Sequence, residues 1–193
     1  MGEIRSAWEI ALEKVERLGS LSPEERRRQK EKEFGAIGQI LADKYLVGLG
    51  LWQLETELNK YSAEEKGLVQ KALASKLIQT IELGNRERLQ RVIEAILALM
   101  QGDPAVSSIK GEIEQLFQEY EEAAEKESRE IEKSAREVLH QLRISGSAIG
   151  AIDPGVLPEL RQGLNRLAQP YNERLEGAKT KLIDLSLVAD SPS

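Results

Sequence analysis

The residues best placed to do chemistry are Glu137 and His140, the latter the chain's single histidine. They stand as Glu-Val-Leu-His, the Glu-x-x-His spacing by which one helical face offers two ligands in carboxylate-bridged di-iron bundles. Such a site takes two of these motifs and two further glutamates. One chain supplies one motif, so a complete site would have to form across a dimer. His140 also lies two positions past the apolar Val138, about 200° around a helix, and is expected to face water. A chain with 33 acidic residues produces this spacing by chance. No cofactor is expected, and an enzyme or metal carrier built on Glu137 and His140 is the alternative reading. Paired carboxylates for acid–base work are equally cheap in this composition, and none stands out against an apolar pocket that would shift its pKa.

Two other stretches carry possible binding chemistry. "EERRRQKEKEF" gathers Arg26, Arg27, Arg28 and Lys30, but glutamates bracket them and the pattern is that of a salt-bridged helix face. Nucleic acid draws its affinity from cations, and the acid excess of the chain argues against it as a partner. "RISGSAIGAIDPGVLP", residues 143–158, is different, because it breaks two long charged runs with Ser, Gly, Ala and Ile. Ile144, Ile149, Ile152 and Val156 are candidate partner-binding residues, and the competing expectation is that they fold back and seal the chain there. A phosphate cradle among Gly146, Gly150 and Gly155 lacks the lysine and hydroxyl of a P-loop and has Asp153 where the anion would sit.

The elements that position these residues are helices. Charged residues make up 31% of the chain and aromatics 4%, the composition of helices with long exposed faces. Cysteine is absent, which removes disulfides and thiolate sites. The N-terminus lacks the apolar core of a signal peptide, and "YLVGLGLWQL" is half the length of a membrane span, so a cytoplasmic protein with no membrane partner is expected.

Ile4, Trp8, Ala11, Val15 and Leu18 form a first helical stripe. Ser22-Pro23-Glu24-Glu25 and Ser62-Ala63-Glu64-Glu65 read as helix starts with capping boxes. The apolar run around Trp52 predicts the centre of a core, with Gly48 and Gly50 giving a bend or a close approach. Asp103-Pro104 marks the clearest boundary. Beyond it, Ile109, Ile113, Leu116, Tyr120, Ala124, Glu127, Ile131, Ala135, Val138 and Leu142 step by four and three in an eleven-residue repeat, the mark of a long, nearly straight helix. Leu157 through Leu185 repeat the pattern on the return.

The expected fold is therefore all-α: a helical bundle core over residues 1–102, a long C-terminal antiparallel helical hairpin of coiled-coil type over 103–188, and a disordered tail at 189–193. Closing that hairpin with Leu142 near Leu157 sets Ile131 against Leu167 or Ala168, and Ala124 against Leu175. Glu127, Ala124 and Ala135 leave its seam poor in buried area, which predicts self-association.

The opening "MGEIRSAWEIALEKVERL", together with "ISGSA" at 144–148, resembles a small uncharacterised family of bacterial helical proteins that begin Met-Gly-Glu-Ile-(Lys or Arg)-Ser and carry a late Ile-Ser-Gly-Ser-Ala. The resemblance implies a bacterial cytosolic protein and brings no activity with it. The function expected is a non-enzymatic protein–protein interaction or scaffold role exerted through the hairpin tip, with a protein partner and a homo-oligomeric state.

Overall fold

A computed structural model describes residues 22–141 and 158–188 of the chain. Among these the chain is all-α: α1 (Pro23–Val47), α2 (Leu51–Leu58), α3 (Ala63–Gln79), α4 (Arg86–Leu99), α5 (Pro104–Gln141) and α6 (Pro158–Val188). The first stripe at 4–18 lies outside the described residues, as does the tail. Contacts divide the chain into two compact units, 1–76 and 77–193, with the division falling inside α3.

The helix starts follow from local chemistry. The Ser22 hydroxyl accepts from the Glu25 N–H at 3.2 Å while the Glu25 carboxylate accepts from the Ser22 N–H at 2.8 Å, so two of the helix's unpartnered donors are satisfied reciprocally. At Ser62 the glutamate dominates, its Oε2 taking both the backbone N–H and the hydroxyl. These bonds favour the ionised acids and hold Glu25 and Glu65 below the usual carboxylate range. Asn85 caps α4 by accepting from Arg88 N–H.

In the first unit, α1 and α3 run parallel. Lys30 pairs with Glu64, Gly38 abuts Val69, and Asp43 lies 3.9 Å from Lys76, in rising order on both helices. The return between them is made by α2 after a break at Gly48, whose φ of 147° is open to glycine and closed to most residues. Gly38 lets the two backbones meet: a Cβ placed there would lie 2.4 Å from the Val69 carbonyl oxygen and 2.9 Å from the Leu73 nitrogen. Leu41, Ala42, Tyr45, Leu54, Leu58, Val69, Leu73 and Ala74 are the buried apolar residues of this unit.

Trp52 corrects the sequence expectation. It is 75% exposed. The short α2 has only Leu54 and Leu58, one turn apart, turned inward, and Trp52 lies two residues before Leu54 and hence on the other side. Ile40 is 54% exposed for the same reason of phase.

In the second unit, α4 packs on α5 after a tight turn in which Gln101 and Gly102 take positive φ. Arg86, at the start of α4, reaches Glu121 at 2.7 Å, so the two helices are antiparallel and α4 runs out near Glu121. Helix α6 also lies antiparallel to α5, with Glu112 meeting Lys181 and Glu119 meeting Arg174, both at 2.8 Å. The register differs from the expected one, which would have put Thr180 opposite Glu119. The offset is about one and two-thirds turns.

Burial follows the number of neighbours. Val106, Ile109, Ile113, Leu116 and Phe117 are buried where α5 has both α4 and α6 beside it, whereas Tyr120, Ala124, Glu127 and Ile131 are half-buried where α6 alone remains.

Candidate functional site

An open depression of about 300 Å³ lies between α5 and α6, lined by Glu112, Gln115, Leu116, Arg174, Gly177, Ala178 and Lys181. Its floor is apolar and its rims are ion pairs two turns apart. Arg174 Nη1 donates to Glu119 Oε2 at 2.8 Å, and Gln115 Nε2 donates to Glu119 Oε1 at 2.9 Å. That pair of donors holds Glu119 below the usual carboxylate range. The Arg174 guanidinium also stands 5.9 Å from the centre of the Tyr171 ring, which packs edge-on to Tyr120. Glu121 raises the Arg86 guanidinium in the same way, by a hydrogen bond to the charged form.

Each of these shifts pushes a group further from neutrality. Catalytic acids and bases need the opposite, a pKa drawn toward the working pH. The apolar floor and charged rims suit the depression to recognition. Gly177 leaves it open, and nothing lies within 4 Å of a Cβ placed there. Gly177→Ala should therefore raise the melting temperature, by up to about 1 kcal/mol of helix propensity, in a thermal melt followed by circular dichroism.

Of the residues singled out in the sequence, Glu137 lies on the exposed side of α5 and pairs with Lys133 at 3.9 Å, one turn back. His140 falls within α5, but its side chain lies outside the described residues. No group of three or more metal-ligating side chains is gathered among the described residues. Ile144, Ile149, Ile152 and Val156 lie outside them altogether. In the basic cluster, Arg27 pairs with Glu31 at 3.5 Å and Lys30 with Glu64 at 3.2 Å, so two of its cations are engaged within the fold.

The surface that sequence reading missed is apolar. Ile40 is 54%, Val47 89% and Trp52 75% exposed, on the two helices either side of the Gly48 break. The signal was present in the phase. Ile40 and Val47 are seven residues apart on one face of α1, opposite Gly38, Leu41, Ala42 and Tyr45.

Fold and surface together define, among the described residues, an all-α protein of paired helices with exposed apolar side chains on α1 and α2. The model of a family of unknown function, DUF6657, matches residues 55–184, well over half of the chain, and the chain belongs to that family. No curated protein and no solved structure matches it. No helix among the described residues is long and apolar enough to cross a membrane.

Proposed function

We propose that this is a non-enzymatic interaction or scaffold protein of the bacterial cytoplasm, which holds a protein partner at the end of the α5–α6 pair. The observation that carries this reading is the antiparallel pairing itself. Because α5 ends at Gln141 and α6 begins at Pro158, the segment with Ile144, Ile149, Ile152 and Val156 departs from and returns to the same end of the pair. That end is remote from the fully buried residues at 106–117 and 175–182. The outer faces between are occupied by charge pairs one turn apart, Glu125 with Arg129, Lys126 with Glu130 and Glu132 with Arg136. Such pairs keep a helix soluble and contribute little else, so a spacer with a distinct tip is the use they suit.

The test uses the full chain with a photocrosslinking residue at position 149 and, as a control, at position 129. Recovery of a discrete crosslinked protein from position 149 alone supports the reading. The companion variant Ile149→Ser with Ile152→Ser should lose that partner while its melting temperature stays within about 2 °C. A drop matching the roughly 1.5–3 kcal/mol per buried isoleucine would make the tip structural and end the proposal.

A further inference from the structure

We propose that the depression between α5 and α6 is a self-association site, in which a second copy of this chain sets its own α5–α6 pair face to face on the first. The inference goes beyond the tip reading and would survive its failure.

The depression lies on one side of the pair, and its lining residues all come from α5 and α6. Glu121, where Arg86 of α4 arrives, is displaced from Glu112 by roughly 180° around α5 and from Glu119 by roughly 200°, so α4 meets α5 on the opposite side. The surface of the depression has a gap at Gly177, which is exposed and has nothing within 4 Å of a Cβ placed there.

Charge identifies the occupant. Glu112 meets Lys181 and Glu119 meets Arg174, both at 2.8 Å, so each acid of α5 stands level with a cation of α6. The two levels are roughly 10.5 Å apart on either helix. At both levels the α5 rim is acidic and the α6 rim basic. A second copy turned about a two-fold axis along the pair brings its α6 over the first α5 and its α5 over the first α6, with every level preserved. Each glutamate then faces the partner's cation at its own height, and each level becomes a ring of charges alternating in sign. A two-fold axis across the pair would instead stack Glu112 on Glu119 and Arg174 on Lys181, like charge on like. Flanking charges of this kind choose between orientations.

The favoured axis also suits the gap. Residues 115–116 of α5 and 177–178 of α6 lie midway between the two levels, so Gln115 of each copy comes over Gly177 of the other, where the missing side chain leaves room for it. All four charged side chains remain partly exposed, and each can meet a second partner without leaving the first. A foreign helix in the same place would need bases along one flank and acids along the other at matching heights. A second copy supplies both by symmetry.

Sedimentation equilibrium on the full chain tests the proposal. A dimer with a dissociation constant of roughly 100 micromolar is expected, since a contact about two turns long belongs among the small, transient interfaces. Gly177→Glu fills the gap and adds an acid beneath the partner's acidic rim, so it should leave a monomer. Its melting temperature should be no lower than the parent's, because nothing in its own chain is displaced and Lys181 stands one turn on to pair with it. The double exchange Glu112→Lys with Lys181→Glu keeps the ion pair within the chain and keeps the rings alternating, so it should dimerise as the parent does. Mixed with the parent, it sets glutamate against glutamate and lysine against lysine, and the mixed dimer should be about tenfold or more weaker than either homodimer. A parent chain still monomeric at about 500 micromolar overturns the proposal. So does a dimer that persists in Gly177→Glu, or exchanged and parent chains that pair with each other as readily as with themselves. A monomer that dimerises only after removal of residues 1–21 would assign the depression to that segment and overturn the proposal equally.

Discussion

Gly38→Ala should destabilise the first unit, although alanine is the better helix former by about 1 kcal/mol. The added Cβ would meet the Val69 carbonyl oxygen at 2.4 Å, the Ala72 Cβ at 2.8 Å and the Leu73 nitrogen at 2.9 Å. Two of these three are backbone atoms of α3 and cannot turn aside, so α1 and α3 have to separate. Overpacking of this kind costs about 1–3 kcal/mol, and Gly38→Val should cost more. Gly35, one turn earlier on the same helix, has nothing within 4 Å of a Cβ, and Gly35→Ala should raise stability instead. Urea unfolding of the two alanine variants gives the comparison. Equal shifts of the same sign would mean that α1 and α3 do not meet at Gly38.

Phe117→Ala should have the largest effect in the second unit. Phe117 is fully buried, at the point where α5 still has α4 on one side and α6 on the other. Its removal is expected to cost about 3–5 kcal/mol from lost transfer energy and the cavity left behind, a fall of roughly 10 °C or more in a protein of this size. Ile131→Ala, two heptads further on, should cost about 1 kcal/mol or less, because Ile131 is only half-buried beside α6. Calorimetry on both variants measures the gradient along α5. An Ile131→Ala cost as large as that of Phe117→Ala would show the far half of the pair to be covered in solution by another chain.

The contrast between these residues marks where sequence reading succeeds. Periodicity along α5 and α6 found both helices and the faces they turn toward each other, because a stripe of apolar residues at three- and four-residue steps has one way to be buried in a helix. Helix starts at Ser22 and Ser62 were legible from four residues each, since a cap is satisfied within its own turn. The turn at Gly102 and Asp103 was legible for the same reason. The resemblance to an uncharacterised family is met, in part, by the match to a family of unknown function.

Depth was not legible. Ile113 and Ile131 occupy the same stripe, and only the reach of α4, which ends its contact near Glu121, makes one buried and the other half-exposed. The α5–α6 register, seen in the pairs Glu112–Lys181 and Glu119–Arg174, joins residues more than fifty apart, which no local spacing encodes. Trp52 shows the same division most plainly. The composition around it called for a core, but a helix of eight residues has one inward line, and Leu54 and Leu58 had already taken it. Local bonding and periodicity, which act within a few turns, were fixed by the amino-acid order alone. Which apolar side of α1 and α2 would be covered was decided by the backbone contact at Gly38, because α3 can approach only where a side chain is missing.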